Sequence, residues 1–241
     1  MLSIHQVSKY FGEKNVLDAV SFDVADGEFV SLIGPSGSGK STIFNLIGGL
    51  LLPDAGDIHL DGNSITGKNG HISYMPQQAS LFPWRTILEN VLLGQELQGR
   101  KKEEAAKAML VKAGLGDVIH SYPHQLSGGM KQRASFIRAL LSPQTLMCLD
   151  EPFSALDEFT RSDMQKWLLD IWEEEQPSIL FITHSVDEAL FLSDKIIVLS
   201  DRPASVKQTF QIPFSRPRDE RILLTAEFLE WKKKVLNEVK N

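Results

Sequence analysis

"FVSLIGPSGSGKSTIFNLI" occupies residues 29–47. A short apolar run, a glycine-rich turn and a helix-like run follow one another without a break. The middle of it, "GPSGSGKS" (34–41), fits the pattern G-x-x-x-x-G-K-[ST] at every fixed position. Gly34, Gly37 and Gly39 let the backbone turn its N–H groups inward, and Pro35, Ser36, Ser38 and Thr42 complete the loop. Lys40 supplies a point charge for the β- and γ-phosphates of a nucleotide. The Ser41 hydroxyl is placed to ligate Mg²⁺, and a helix starting at Lys40 adds the partial positive charge of its N-terminus. The loop therefore marks a nucleoside triphosphate site without yet specifying a reaction.

Working outward, residues 2–33 read as strands, "LSIHQVSKYF", "VLDAVSFDVA" and "EFVSLIG", cut by "DG" at 26–27. Turn-rich short strands follow at 53–65, and "HISYMPQ" (71–77) reads as another strand. From 85 to about 142 strand alternation gives way to helical runs. Then "TLMCLD" (145–150) and "SILFITH" (178–184) are short continuous apolar runs of the kind that suit buried parallel strands. A helical crossover lies between them at 157–176, and "KIIVLS" (195–200) reads as the last strand. The rest is a proline-marked turn and a charged amphipathic helix. An α/β core is thus expected at both ends of the chain, with a helical insertion at about 78–142 that is too long for an ordinary loop.

A second anion-holding device stands at 124–133, "HQLSGGMKQR". Two glycines follow a serine and lead into a helix, as at helix N-termini that hold anions. One loop already wraps the triphosphate, so the economical reading gives the second device to the nucleotide of another molecule. Two carboxylates end the strand "TLMCLDE" (145–151). Asp150 is placed to hold Mg²⁺, directly or through water. Glu151 sits beside the γ-phosphate position, where a carboxylate orients or deprotonates an attacking water.

The phosphate loop, "LSGGMKQR" (126–133) and "LDEP" together resemble the ABC transporter ATPases, and the resemblance covers essentially the whole chain. It implies one domain over 1–241: an α/β P-loop NTPase (RecA-like) core, an antiparallel β subdomain, an inserted α-helical subdomain at about 78–142, and a tail with a helix over about 201–241. It also implies a homodimer with two ATP molecules between the subunits. Ser127, Gly128 and Gly129 of one copy would close on the γ-phosphate held by Lys40 of the other. Carried over one position at a time, Phe11 in "KYFG" matches the aromatic that stacks on adenine, with Tyr10 its neighbour. Gln77 in "YMPQQ" matches a glutamine that helps hold Mg²⁺ and water, with Gln78 adjacent. Asp157 in "SALD" lies in the loop linking the two ATP sites, and His184 in "FITHSVDEA" matches a histidine at the γ-phosphate.

Within the family, "LFPWRTILENV" (81–91) and "PFSRPRDERI" (213–222) resemble the group serving importers of nitrate, sulfonates, taurine and pyrimidine precursors. The resemblance implies a membrane permease that contacts Phe82, Trp84 and Arg85, and a solute-binding protein acting indirectly. An exporter subunit and a soluble ABC ATPase remain the alternatives. A long heptad coiled coil, expected of the soluble class, is absent from the sequence. The tail after 200 is too short for the extra C-terminal domain of some sugar-importer ATPases, so an attached sensor is not expected.

The bulk numbers agree with this class. A net charge of -6 and a pI near 5.5 argue against a broad nucleic-acid footprint. Cys148 is the single cysteine, so no intrachain disulfide forms. No apolar run has transmembrane length, and the N-terminus has no secretory pattern. The expectation is a cytoplasmic protein held at the cytoplasmic face of the membrane through its permease.

Overall fold

The structure, a computed structural model, describes residues 1–240. Its first unit is an antiparallel sheet. Strands β1 (Leu2–Phe11) and β2 (Lys14–Val24) form a hairpin around Gly12, whose φ of +60° suits a residue without a side chain. After β3 (Phe29–Ile33) and helix α1 (Lys40–Ile47), strands β4 (Ala55–Leu60) and β5 (Asn63–Ser64) return to this sheet, giving the order β2-β1-β4-β5.

Strand β3 leaves that sheet for a second one. It pairs in parallel with β8 (Ser178–Ile182) and β9 (Lys195–Leu199). Strand β7 (Leu146–Asp150) joins the far side of β8, and β6 (Ser73–Met75) pairs with β7. Every residue of β3 and β8 is buried, as in sheets covered on both faces. Side chains alternate between those faces. Met147 and Leu149 enter one hydrophobic core with the central helices, while Leu146 and Cys148 enter another with the antiparallel sheet and α1.

The central helical segment holds α2 (Ile87–Val91), α3 (Leu93–Leu97), α4 (Glu103–Lys112) and α5 (Gly128–Leu140). The first of the helical runs read from 85 onward is interrupted at Leu92, between α2 and α3. Thr86 starts α2 with a reciprocal capping box to Glu89. Helix α6 (Glu158–Glu175) makes the crossover from β7 to β8 and starts at Asp157, whose side chain accepts from the Thr160 N–H.

Beyond β8 the structure corrects the sequence reading twice. Helix α7 (Val186–Leu192) follows β8, capped by Ser185. Its run "VDEALFL" is so nearly apolar all round that it carries no helical stripe, because every residue except Asp187 is buried. Strand β9 is not the last strand. β10 (Val206–Gln211) pairs antiparallel with it at the sheet edge and completes the order β10-β9-β3-β8-β7-β6. Of "VKQTFQ" only Phe210 is buried, which left no apolar run to read. Helix α8 (Ala226–Lys240) then packs Phe228 and Val235 against α7 and β9, beside Phe214.

Candidate functional site

The C-terminal ends of the parallel strands point their loops to one rim, where ligands of open α/β sheets bind. The phosphate loop leaves β3 there. Gly37 and Gly39 have φ of +79° and +97°, in the left-handed region that glycine adopts without strain. A Cβ at Gly39 would stand 2.7 Å from Leu17 Cδ2, so the loop also needs glycine for its close approach to β2. Lys40 is buried and its Nζ donates to the carbonyls of Gly34 and Pro35, both at 2.9 Å. Burial pulls its ammonium below the usual lysine range, opposed by the charges of Glu151 and Asp150. The Ser38 hydroxyl is buried with no hydrogen-bond partner.

A cavity of about 430 Å³ opens over this loop, lined by Ser36, Gly37, Gly39, Lys40, Ser41, Thr42, Glu151, His184 and Arg202. Glu151 follows β7 directly and its φ of +45° puts a non-glycine residue in the left-handed region. Strain of this kind persists where the surroundings fix it, and it clusters at functional sites. Here the Glu151 N–H donates to Ile182 O at 3.0 Å, tying the turn to β8. His184 Nδ1 lies 3.3 Å from Glu151 Oε2. The Gln77 amide donates to Ser154 Oγ at 3.0 Å and reaches Glu151 Oε2 at 3.5 Å. Asp150 accepts from the Tyr74 hydroxyl at 3.1 Å. Burial raises the Asp150 carboxyl above the usual range; Tyr74 opposes the shift, Glu151 adds to it and Lys40 opposes it.

Four stretches from separate parts of the chain, the phosphate loop, Glu151, His184 and Arg202, thus converge on one cavity. Its loop amides and Lys40 suit a polyphosphate, and Ser41 with Asp150 offers the oxygen donors that Mg²⁺ prefers. Ser127, Gly128, Gly129 and Asp157 do not line this cavity. They sit together elsewhere. Ser127 caps α5 by accepting from the Met130 N–H at 3.3 Å. A Cβ at Gly129 would come within 2.8 Å of Thr160 on α6, so the start of α5 lies directly against the helix that Asp157 caps. Helix α5 also grips the segment after Gln77. Gln132 donates to Gln77 O at 3.0 Å, and Arg138 to Ser80 O at 2.9 Å and Ala79 O at 3.3 Å.

Phe11 and Tyr10 are both exposed at the end of β1, and neither lines the cavity. Lys9 Nζ stands 5.7 Å from the centre of the Phe11 ring. In the segment after Gln77, Trp84 is 70% exposed and lies outside the core. Its ring lies 5.1 Å from that of Phe82, centre to centre, and Arg85 pairs with Glu96. Buried Asn90 holds this turn, its amide donating to the carbonyls of Phe82, Arg85 and Thr86. Tyr74, Arg202 and Asn90 carried no sequence signal, because each acts through a contact that only the fold creates.

A phosphate loop and a strand-end carboxylate pair, closed over by a histidine from the next strand, define a P-loop ATPase. The family follows from comparison: residues 17–154 match the model of the ABC transporter family, and the chain belongs to it as an ABC ATPase. An aliphatic sulfonates import ATP-binding protein of Bacillus cereus is 39% identical over 98% of this chain and 95% of its own. A formylaminopyrimidine import ATP-binding protein of Halalkalibacterium halodurans is 42% identical, over 95% of this chain and 90% of its own. A solved bacterial ABC transporter cassette is similar in its dimeric structure, with TM-score 0.76, 31% identity and coverage of 89% and 100%. Its dimeric post-hydrolysis structure with ADP and Pi gives 0.73 at 29% identity, with the same coverage.

Proposed function

We propose that this chain is the ATP-hydrolysing subunit of an importer and works as a homodimer beneath a separate membrane permease. One observation carries the dimer. Glu151 and His184 line the cavity and Gln77 reaches Glu151 beside it, while Ser127, Gly128, Gly129 and Asp157 gather elsewhere. A second copy placed head to tail brings that second group to the nucleotide held by the first, and a two-fold axis makes two such sites. Import is supported by the two import-type relatives, each matched over nearly its whole length. The solute class that follows is a small sulfonate or a pyrimidine precursor. Among the described residues no helix is long and apolar enough to cross a membrane, so attachment at the cytoplasmic face runs through the permease. Trp84, with Phe82 and Arg85, is the proposed contact, since aromatics and arginine dominate interfaces.

In the proposed mechanism Phe11 stacks on the adenine, while the loop from Gly34 to Thr42 binds the phosphates. Ser41, Asp150 and Gln77 would hold the Mg²⁺ that accompanies ATP, which supplies charge neutralisation at the phosphates. Glu151 takes a proton from water aligned with the γ-phosphate, and His184 steadies both. Lys40 and the loop amides stabilise the developing charge. Loss of the γ-phosphate removes the bridge between the copies, and the opening moves the segment after Gln77 together with the permease.

Glu151→Gln preserves shape and removes the basic carboxylate. It should bind ATP, lose at least about a hundredfold in hydrolysis, and elute as a dimer from size exclusion with Mg-ATP. Elution as a monomer with and without nucleotide would refute the sandwich.

A further inference from the structure

The phosphate loop is held from outside by a residue that no motif contains. Arg202 stands in the tight turn between β9 and β10, and its Nε donates to the Gly37 carbonyl. Its guanidinium lies against the same glycine. A Cβ at Gly37 would meet Arg202 Nη2 at 3.5 Å and Cζ at 3.8 Å. Arg202 lines the nucleotide cavity together with Lys40, Glu151 and His184, and it lines a second cleft with Ser36, Gly37, Ser38 and Asp201.

The turn that presents Arg202 is itself pinned on two sides. The Ser200 N–H donates to Ser205 O at 3.0 Å, and the Ser205 N–H returns to Ser200 Oγ at 3.0 Å. On the other side Ala204 is wholly buried. Its N–H donates to Val16 O at 2.9 Å, and its carbonyl accepts from the Asp18 N–H at 2.9 Å. Val16 and Leu17 of β2 are the residues against which Gly39 packs. The turn at 200–205 and strand β2 therefore grip the phosphate loop at Gly37 and at Gly39.

We propose that Arg202 is a positioning residue for nucleotide binding, acting through the Gly37–Ser38 peptide. The inference rests on the ATP-site reading above and adds to it. A trans peptide is planar, so its C=O and N–H point opposite ways. Fixing the Gly37 carbonyl fixes the direction of the Ser38 N–H, which donates to Pro35 O at 3.1 Å and so closes the turn of the loop. A cation on that carbonyl also polarises the peptide and strengthens this bond within the loop, so that the loop is held in shape before nucleotide arrives. Glycine at positive φ is the least restrained residue in the loop. Without Arg202 the loop must be ordered by the nucleotide itself, at the expense of affinity.

The test uses Arg202→Ala and Arg202→Lys, with Lys40→Ala as the control for the site. ADP and ATP affinities are measured by titration calorimetry at low and high salt, and melting is recorded without nucleotide. A preorganising role predicts that Arg202→Ala weakens ADP and ATP by the same factor, about 3- to 10-fold for one lost charge-assisted bond at an exposed site. The salt dependence and the nucleotide-free melting temperature stay as in wild type, and Arg202→Lys recovers part of the loss. A loss confined to ATP would assign Arg202 to the γ-phosphate instead and overturn the proposal. Unchanged affinities would overturn it as well, as would a fall in melting temperature with affinity intact. If wild type bound neither nucleotide, or Lys40→Ala bound as well as wild type, the ATP-site reading would fail first.

Discussion

Glu188 is buried one turn after His184, among groups from the end of β8 and from α6. Thr183 donates to it from the end of β8, Gln165 donates from α6 at 3.2 Å, and Arg161 stands at 4.0 Å. The same Arg161 donates to Leu156 O at 2.9 Å, inside "SALD". One carboxyl therefore joins the helix behind Asp157 to the strand end that carries His184. Burial raises its pKa, against the opposing pull of Thr183, Arg161, His184 and Gln165. The folded state then holds the proton more tightly than the unfolded chain. This cost is absent well below the ordinary carboxylate range, grows as pH rises through the raised pKa, and is complete above it. Glu188→Gln is expected to melt about 1–3 °C above wild type near pH 8, with the difference gone near pH 4. Differential scanning calorimetry at both pH values checks this, and a variant less stable at the higher pH would show that the ion pair outweighs desolvation. At this scale Lys40, Asp150 and Glu151 were legible because each lies in a contiguous motif. Glu188, Arg161 and Arg202 were not, since their partners lie 23, 27 or 165 positions away and periodicity records no such pairings.

Helix α7 shows why the segment "PFSRPRDERI" exists. Four carbonyls at a helix C-terminus lack intrahelical partners. Here the buried guanidinium of Arg218 donates to Leu190 O at 3.3 Å, Phe191 O at 3.1 Å and Ser193 O at 2.8 Å, and also to Phe214 O. Arg216 adds a bond to Leu192 O at 2.6 Å and a bridge to Asp194. The tail thus locks the helix that follows His184. Arg218→Met leaves buried carbonyls unpaired and should cost about 2–4 kcal/mol, a fall of roughly 5–15 °C in melting temperature at this size. Unchanged melting would contradict the locking role. In the sequence this stretch was legible only as a likeness, because an arginine that caps a helix 27 residues earlier leaves no local pattern. The turn at 81–86 gives the opposite case. Trp84 is exposed while Asn90 supports the backbone from below. Trp84→Ala is expected to melt within about 1–2 °C of wild type, as a surface change does, and to keep basal ATPase while losing co-purification with the permease. A variant that melts much lower would return Trp84 to the core.

At the scale of the molecule, the phosphate loop and the proposed second anion-holding device occupy different places in one chain. Gly39 and Lys40 line the cavity, whereas Gly128 and Gly129 abut Leu156 and Thr160 at the start of α6. The class of fold was legible because short buried strands and the phosphate loop share one local grammar. The division into two sheets was legible only through the resemblance, which implied an antiparallel β subdomain, because β3 follows β2 in sequence yet pairs with β8 and β9, 150 or more residues on. The proposed two-copy site rests on the duplication of a device that one nucleotide uses once and on the family resemblance. Mixing two disabled proteins tests this account most directly. Lys40→Ala cannot hold nucleotide, and Ser127→Arg cannot close on a partner's. Each homodimer has two broken sites, but a mixed dimer has one site with both lesions and one with neither. The account predicts that ATPase activity, absent from either variant alone, returns on mixing toward about a quarter of the wild-type rate, as statistical pairing and one intact site per mixed dimer require. Persistent inactivity in mixtures shown to contain heterodimers would contradict it, and would assign "LSGGMKQR" to its own chain's nucleotide.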